Sequence, residues 1–481
     1  MRDGAVQLVW PGKYDQNGVR VHVPRSVAHL EVRERHDGGD VGRPEPWSNL
    51  LIHGDNLLAL DALLDRFSGA VDLAYIDPPF ATGQNFSLVQ RIPERDALPG
   101  ARHANASSRM EELRARAYSD VWPGGPAAFF AMLDARLRRV YELLSPSGCL
   151  YVHVDPTIGH GVKLLLDEVF GPESFQREIV WRIGWVSGFK TKARNWIRNH
   201  DTIYFYTKDP QRFTFNKSYV PHPPGYRRRD GSLPRGHGIP IDDVWNANEA
   251  EFALRGEASL DSIQIKSFSR EKTGYATQKN YSLLRRIIEA SSNPGDLVAD
   301  LFCGSGTSLI AAQRGGRRWI GCDCAGAAVH VTRKRLLCLP EQTAFDVCVP
   351  VSDSASGVRV HAPTRSPAHV SVQVDACDAS RISVELDSYI SETTRSSSAK
   401  WCNLVDYWAV DWDAKGDLFV PDWHVVRRGD EPVSLTSAPG QLEGDGPWNV
   451  CVHVVDVLGG EGWWRGRIVK NGSTVVLERA A

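Results

Sequence analysis

The sequence has no long run of apolar residues and no closely spaced pair of cysteines. Its apolar segments are shorter than the ~20 residues that span a bilayer. Arg2, Asp3 and Gln7 interrupt the beginning of the chain, where a signal peptide needs an apolar stretch. The nine cysteines form no Cys-x-x-Cys motif, so neither a zinc site nor a disulfide framework is predicted. We therefore expect a cytoplasmic protein with reduced thiols, no metal and no membrane contact.

Net charge is also small, but its distribution is uneven. The 481 residues carry a formal charge of −2, and this length predicts about three modules. Residues 177–235 contain thirteen Lys and Arg against four acids, whereas residues 351–481 contain twelve against eighteen. The basic segment predicts contact with a polyanion such as DNA. The acidic region is expected to serve protein partners or the assembly of a DNA complex.

Hydrophobic periodicity predicts three parts. Residues 1–46 mix charges, Gly and Pro without a sustained period, and we interpret them as an N-terminal arm. Strand and helix patterns alternate over 47–345, which predicts an α/β domain with a parallel, doubly wound, Rossmann-like sheet. A loop-rich, Pro-containing insertion interrupts that pattern within 185–268. Short β-branched runs over 351–481 predict a β-rich C-terminal domain, which holds seven of the fifteen tryptophans.

The segment Asp300–Thr307 (Asp-Leu-Phe-Cys-Gly-Ser-Gly-Thr) joins a predicted strand to a predicted helix. Glycines there allow close approach of a ligand, and an acid about 20 residues later can bind ribose hydroxyls. Asp323 lies 19 residues after Gly304. Leu309 replaces the third glycine of a dinucleotide site, and no phosphate-loop lysine follows. An acid before the turn suits the amino end of an amino-acid-like ligand, so the turn favours S-adenosylmethionine over NAD or ATP, although alone it is also compatible with a plain strand–helix connection.

The tetrapeptide Asp77-Pro78-Pro79-Phe80 follows the predicted strand Val71–Ile76, at the edge where open α/β sheets bind ligands. Two prolines fix the backbone and remove two N–H donors. The Asp77 carboxylate and the Pro78 carbonyl can then accept both hydrogens of an exocyclic amine. Phe80 offers a stacking face for a base taken out of its helix. Standing alone, the tetrapeptide is equally typical of a stiff turn.

Together, the tetrapeptide, the segment Gly274–Lys279 and the turn Asp300–Thr307 resemble the amino-group DNA methyltransferases of the permuted (beta) class. The resemblance covers about residues 48–340. It implies that the sheet is an S-adenosylmethionine-dependent methyltransferase domain, with the target-recognition region in the insertion between the two turns. The segment Phe80–Gly83 further resembles modification subunits of multi-subunit restriction systems.

The resemblance also implies roles for individual residues. It makes Asp77, Pro78, Pro79 and Phe80 the catalytic tetrapeptide. It places Asp55 near the adenine of the cofactor, Asp323 near its ribose, and the turn around its methionine part. The implied cofactor-binding residues are Asp55, Lys279, Asp300, Phe302, Gly304, Gly306, Thr307 and Asp323. Asn280 is a departure, because the family usually has proline after that lysine.

An Asp at the head of the tetrapeptide is the family's usual choice for adenine. The implied function is methyl transfer to the exocyclic N6 amine of adenine in duplex DNA, in a restriction-modification or related defence system. Cytosine-N4 methylation, RNA methylation and a non-catalytic DNA-recognition subunit of a defence complex remain as alternatives.

For DNA contact we predict Arg227, Arg228 and Arg229, together with aromatic residues interleaved among the basic ones. These aromatic residues are Tyr204, Tyr206, Phe213, Phe215, Tyr219 and Tyr226. Partner subunits of a restriction or defence complex are expected to bind the C-terminal domain.

Overall fold

A computed structural model provides the fold. It describes residues 6–38, 47–93, 110–183, 194–220, 222, 225–245, 269, 271–352, 368–376, 381–441, 446–471 and 474–479. In these ranges the helices are α1 (Asn56–Phe67), α2 (Gly125–Leu143), α3 (Pro156–Phe170), α4 (Tyr281–Ser291), α5 (Thr307–Arg314), α6 (Gly326–Leu337) and α7 (Trp401–Leu404).

The strands, in chain order, are β1 (Ala28–His36), β2 (Asn49–His53), β3 (Val71–Ile76), β4 (Asn85–Pro93), β5 (Met110–Ser119), β6 (Leu144–Val154), β7 (Phe175–Arg182), β8 (His200–Thr207), β9 (Tyr219–Val220), β10 (Ile239–Pro240), β11 (Val244–Trp245), β12 (Leu297–Asp300), β13 (Arg318–Asp323), β14 (Phe345–Ser352), β15 (His369–Ala376), β16 (Arg381–Ile390), β17 (Val405–Asp411), β18 (Trp423–Val426), β19 (Gly440–Gln441), β20 (Trp448–Asp456), β21 (Glu461–Asn471) and β22 (Thr474–Arg479).

Ten of these strands form one sheet in the order β1-β14-β2-β13-β12-β3-β6-β8-β7-β11. The six from β14 to β6 are mutually parallel, whereas β1 and β8 pair antiparallel with their neighbours at either end of that block. The strands are apolar on both faces because helices cover both faces. The predicted doubly wound α/β sheet is therefore confirmed, with antiparallel strands added at its margins.

Alternate residues of the parallel strands belong to two different cores. Leu51 and Leu73 pack with α4, α5 and α6, and Ile52 and Ala74 pack with α1, α2 and α3. A two-residue period places these pairs on opposite faces. Each buried Leu or Ile contributes about 1.5–3 kcal/mol relative to an exposed one, so both helix layers hold the sheet strongly.

The sheet order brings together chain segments that are far apart in sequence. Strand β12 lies between β13 and β3, and Asp300 is in register with Tyr75 on one side and Gly321 on the other. The turn after β12 therefore begins beside the tetrapeptide after β3, although more than 200 residues separate them. Ligands of such sheets bind at the carboxyl ends of the strands, which is the edge where these two turns meet.

Several elements extend or interrupt the predicted pattern. Strand β1 comes from the segment predicted as an arm, and β14 crosses the predicted end of the α/β domain; both are strands of the central sheet. The domain limits themselves stay a prediction. Strands β7 and β8, on either side of residues 183–199, pair antiparallel.

The C-terminal region is β-rich, with a five-stranded sheet (β18-β17-β20-β21-β22) and a three-stranded sheet (β15-β16-β19) around a core of its own. It packs on α6 through buried charges. Arg333 Nη1 lies 2.5 Å from Glu34 Oε2 of β1, and Nη2 lies 3.1 Å from Glu461 Oε1 of β21. His330 Nε2 and Lys334 Nζ lie 2.8 and 2.7 Å from the Asp406 carboxylate of β17. Within the ranges described, no helix is long and apolar enough to cross a membrane.

Candidate active site

A cavity of about 540 Å³ opens at the carboxyl edge of the sheet. The tetrapeptide forms one part of its wall and the turn 300–307 forms another, with Asp55, Lys279 and Asp323 also lining it. Most residues predicted from the sequence as catalytic or cofactor-binding thus surround one space, whose volume suits a small-molecule ligand. Gly306 does not line the cavity; it lies behind the wall, against Thr332.

Asp77 lies at the junction of this cavity with the loop that carries Lys279. The Lys279 ammonium pairs with Asp77 Oδ2 and lies 5.5 Å from the centre of the Phe80 ring. The second carboxylate oxygen, Oδ1, is buried, and no donor reaches it from the described part of the chain. A buried acceptor without a partner costs about 1–3 kcal/mol, so this oxygen is ready to accept a hydrogen bond from a ligand.

Asp300, the last residue of β12, is fully buried at the base of the cavity. Its Oδ1 accepts a hydrogen bond from Phe302 N at 3.0 Å, and its Oδ2 accepts one from the Ser308 hydroxyl. Burial, aided by the nearby Asp77 and Asp323 and opposed by the two hydrogen bonds, raises the pKa of Asp300 to about 7. This carboxyl is therefore strongly desolvated, and a cationic group in the cavity would favour its ionised form.

Asp323, the last residue of β13, faces the cavity from the other side of the turn. Its Oδ2 accepts from Gly304 N and its Oδ1 from Ala325 N, both at 2.9 Å. Burial raises the pKa of Asp323 to about 6. The two backbone bonds hold the carboxylate against the turn, so its position depends on the glycine backbone predicted to approach a ligand.

Two glycines of the turn are required by their surroundings. Gly304 and Gly306 have φ of +50° and +73°, values that L side chains rarely adopt. A Cβ at Gly306 would lie 2.5 Å from Cγ2 of Thr332, and one at Gly304 would lie 3.3 Å from the Tyr275 ring. Gly306 thus allows α6 to pack against the turn, while Gly304 lets the turn approach the Gly274–Lys279 loop.

Asp55 caps α1 at the edge of the cavity. Its Oδ1 accepts from the backbone N–H groups of Leu57 and Leu58, at 2.8 and 3.2 Å, and its Oδ2 lies 3.0 Å from Arg136 Nη2. The adjacent Asn56 donates to Leu301 O at 2.7 Å, which ties the beginning of α1 to the turn. Asp55 is thus a helix cap and a pocket residue together, and its role toward the adenine of the cofactor stays a prediction.

Asn280, the departure from the family pattern, has a clear structural role. It is the N-cap of α4, and its side chain accepts a hydrogen bond from Ser282 N at 2.8 Å. An Asn at this position supplies the cap, an alternative to the fixed φ that a proline gives at the beginning of a helix. Lys279 therefore still comes directly before a well-defined helix.

Sequence reasoning missed Asp120, which holds the loop after Phe80. Its carboxylate accepts from Ala81 N at 2.8 Å, and from the N–H and hydroxyl of Thr82 at 2.7 and 2.6 Å. Ala81 has φ of +56°, a conformation that costs a non-glycine residue about 1–2 kcal/mol. The Asp120 bonds offset that cost and fix the backbone next to Phe80. These contacts join residues 38 and 39 positions apart, so no local pattern indicates them.

Sequence reasoning also missed a polar chain beneath Phe80. The His153 ring is fully buried and stacks against the Phe80 ring, with centroids 6.0 Å apart and planes at 28°. Its Nδ1 lies 2.9 Å from the Tyr75 hydroxyl, and its Nε2 lies 3.2 Å from Asp201 Oδ2. His153 falls within an otherwise apolar strand, and a single His in such a strand is not a signal of function.

The predicted DNA-contacting residues lie outside the cavity lining. Arg227, Arg228 and Arg229 are exposed on a turn closed by the bond from Arg228 N to Ser232 O at 2.9 Å. Arg227 also donates to Gly231 O, at 3.1 Å. Their contact with DNA stays a prediction. The residues 184–193 of the basic segment fall outside the described ranges.

The aromatic part of that prediction needs correction. Tyr204 and Tyr206 are buried in β8, because this strand lies inside the sheet with β6 and β7 on either side, so neither ring can contact DNA. Phe213 packs partly against the core. Phe215, Tyr219 and Tyr226 are 39–49% exposed, and Trp196, which was not predicted, is 98% exposed.

Comparison with known proteins agrees with this geometry. A family model described as DNA methylase matches residues 71–334. The type II methyltransferase M.EcaI of Enterobacter cloacae is 30% identical over 386 residues, which cover 69% of this chain and 77% of that protein. The DNA adenine methyltransferase YhdJ of Escherichia coli K12 is 26% identical, with 60% and 82% covered.

A third relative is a subunit of a larger enzyme. The Mod subunit of the type III restriction-modification enzyme EcoP15I of Escherichia coli is 26% identical over 164 residues, which cover 34% of this chain and 24% of that subunit. The family match includes the tetrapeptide, the Lys279 loop, the cofactor turn and Asp323. By its sequence and the arrangement of these residues, this chain belongs to the DNA methylase family.

Proposed function

We propose that this methylase transfers a methyl group from S-adenosylmethionine to the N6 amine of an adenine that is turned out of duplex DNA. The observation that carries the proposal is the buried, unpartnered Oδ1 of Asp77 at the cavity, beside an aromatic ring and next to a donor-free pair of prolines. An exocyclic amine has the hydrogens that such an acceptor needs.

The residues present fit S-adenosylmethionine. Asp300 is buried and Asp323 is half-buried, and neither gains a cationic side chain among its described partners. A ligand with a positive charge and ribose hydroxyls would satisfy both. Asp300, the turn and Asp323 would hold that ligand. When bound, S-adenosylmethionine supplies a methyl group that its sulfonium has already activated.

The chain's own residues position the amine that receives the methyl group. Asp77 Oδ1 accepts one amine hydrogen, which makes the nitrogen lone pair more available, while Lys279 holds the other carboxylate oxygen in place. The neutral amine can receive the methyl group without prior deprotonation by a strong base, because alignment and acceptors supply much of the rate gain. As the new N–C bond forms, the S–C bond to the methyl group breaks, and the methylated amine then loses one proton, for which Asp77 Oδ1 is the adjacent acceptor on the way to solvent. Phe80 stacks on the extruded base and offsets part of the few kcal/mol that flipping costs.

The names of relatives support adenine in one case and restriction-modification in another. YhdJ is named as an adenine methyltransferase, M.EcaI as a type II methyltransferase and the EcoP15I relative as a Mod subunit. The Asp at position 77 agrees with adenine, so cytosine-N4 transfer is not favoured. We extend the proposal to a partner: a restriction subunit that binds the acidic C-terminal domain.

The test is methyl transfer from labelled S-adenosylmethionine to DNA, measured beside cofactor titration. Asp77→Ala should abolish transfer, because the amine loses its acceptor, yet cofactor binding should persist. Asp65→Ala, at an exposed position of α1, is the matched control and should keep both. Near-normal transfer by Asp77→Ala would refute the mechanism. Nucleoside analysis of the product separates N6-methyladenine from N4-methylcytosine, and sequencing of methylated genomic DNA from expressing cells reports the target site.

DNA contact by the arginine turn has a separate test. Replacing Arg227, Arg228 and Arg229 with Ala should weaken DNA binding and reduce the slope of log K against log salt by up to about 3, since each phosphate contact adds about 0.9. A triple variant of the exposed Arg395, Lys400 and Lys415 in the acidic domain removes the same charge and should leave the slope nearly intact. Equal salt slopes for both variants would show that the arginine turn makes no specific contribution to DNA binding.

A further inference from the structure

His153 is a buried polar side chain behind the tetrapeptide, and the proposed mechanism does not use it. It lies on β6, next to β3, and its exposed fraction is 0%. The Phe80 ring covers one face of the imidazole, and the Trp181 ring meets it edge-on with centroids 5.3 Å apart. The imidazole is therefore sandwiched in the wall, and Phe80 stacks on it.

Both ring nitrogens of His153 are engaged. Asp201 is ionised, because the hydrogen bond and charge of His153 and the charges of Lys279 and Arg198 outweigh the effect of burial and hold its pKa at about 2. An ionised carboxylate only accepts, so Nε2 carries the hydrogen on that side. Burial and three nearby acids raise the pKa of Tyr75 well above its usual range, so its hydroxyl stays protonated and bonds Nδ1.

A second layer holds Asp201. Arg198 pairs with Asp201 and also with Asp155, which directly follows β6. The imidazole is thus fixed from two strands, by Tyr75 of β3 and by Asp201 of β8. Ring orientation set by hydrogen bonds at both nitrogens is a general way to lock an imidazole. With neither nitrogen free and the ring behind Phe80, His153 is unsuited to take a proton from the substrate.

We propose that His153 is a positioning residue for base flipping: it sets the height and tilt of the Phe80 ring on which the extruded base stacks. The inference rests on the proposed function and adds a residue to it. Phe80 has its neighbouring loop fixed by Asp120 on one side and its ring supported by His153 on the other. Removing the imidazole would let the phenyl ring sink into the wall, and the amine would no longer meet Asp77 Oδ1.

The experiment compares His153→Ala with wild type in steady-state methylation of a duplex that carries the target site found by sequencing. We expect kcat to fall about 10- to 100-fold, as small misplacements of reacting groups do. KM for DNA should change less than about threefold, and S-adenosylmethionine affinity should not change. A duplex with 2-aminopurine at the target adenine should show a smaller fluorescence rise with the variant. His160→Ala, an exposed histidine of α3, is the control and should match wild type.

A double-mutant cycle distinguishes positioning from general damage. If His153 acts through the ring, adding His153→Ala to Phe80→Ala should lower kcat by less than about twofold, because residues in contact that act as a unit are not additive. Independent effects, which multiply, would overturn the inference. So would wild-type kcat in His153→Ala.

A conservative variant covers the case in which His153→Ala does not fold. His153→Gln keeps a donor for Asp201 and much of the side-chain volume, and it should restore part of kcat and of the 2-aminopurine signal. Positioning through the ring would be contradicted if folded His153→Gln had a kcat no higher than that of folded His153→Ala. It would also be contradicted if His153→Gln had the wild-type kcat and neither variant changed the 2-aminopurine fluorescence rise. A wild-type protein that methylates no DNA would instead contradict the proposed function itself.

Discussion

Two groups of desolvated carboxylates in this protein have opposite surroundings. Asp300 and Asp323 at the cavity are bonded by backbone N–H groups and a hydroxyl, and burial raises their pKa values to about 7 and about 6. Asp406 of β17 and Glu34 of β1, where the C-terminal region packs against α6, face cations. Burial alone would raise the pKa of both carboxyl groups. Instead, His330 and Lys334 hold the pKa of Asp406 at about 2. Arg333 and His36 hold the pKa of Glu34 well below its usual range.

The presence or absence of a cationic partner within the chain distinguishes structural carboxylates from ligand-binding ones. A buried carboxylate whose cation belongs to the chain is already satisfied and holds two parts of the fold together. A buried carboxylate without one carries a cost that only an external group relieves, and such groups cluster at functional sites. By this criterion Asp406 and Glu34 have a structural role, whereas Asp300 and Asp323 are suited to bind a ligand.

The largest effect should come from breaking the satisfied cluster. Arg333→Ala removes the guanidinium that pairs with the buried Glu34 and the half-buried Glu461, which should lower the free energy of unfolding by roughly 3–5 kcal/mol in urea denaturation. Arg465→Ala removes an exposed partner of Asp417 and should cost about 0.5 kcal/mol or less. A loss below 1 kcal/mol for Arg333→Ala would mean that the interface cluster carries little of the stability.

A matched pair of substitutions should sharpen the comparison at the cavity. Asp323→Asn should weaken S-adenosylmethionine binding about 10- to 100-fold in calorimetric titration, because the proposed ribose acceptor is changed, while the ligand-free protein should keep or raise its melting temperature. Asp406→Asn should do the reverse, losing stability while binding the cofactor in the remaining folded protein. Similar profiles for the two variants would remove the distinction.

The smallest effect concerns pH. Burial raises the pKa of Asp300 from 3.8 to about 7, so the folded state binds this proton more tightly than the unfolded state does. Its contribution to stability is complete below about pH 4 and is lost as the pH rises through 7. The melting temperature of ligand-free Asp300→Asn, minus that of wild type, should therefore grow by a few degrees between pH 5 and 8. A difference that stays constant with pH would contradict this assignment.

Parts of the site were predictable because their signals are local. The tetrapeptide and the turn 300–307 each stand directly after an apolar strand, and parallel strands bring such ends to one edge. The cap at Asn280 is also local, although from the sequence Asn280 was interpreted only as a departure from the family pattern. These features need only a few consecutive residues, so the sequence contains the whole pattern.

Other parts depend on pairings between distant residues. Strand β1 pairs with β14 across more than 300 residues, and Asp120 holds the Phe80 loop through backbone bonds that leave no period in the sequence. Tyr204 and Tyr206 were wrongly assigned to DNA contact, because a basic neighbourhood outweighed the apolar run that makes β8 an interior strand. His153 was missed because its partners, Tyr75 of β3 and Asp201 of β8, are distant in sequence.

Helix α6 joins the two regions. One of its sides holds the turn, since Thr332 donates to Gly304 O at 3.0 Å and Arg335 to Ser305 O at 2.6 Å. The other side presents His330 and Arg333 to the C-terminal domain. A C-terminal domain grafted from a related chain would therefore have to bring carboxylates opposite these two positions. The twelve residues of α6 therefore limit which C-terminal domains could replace this one, because the same helix also holds the turn of the cavity.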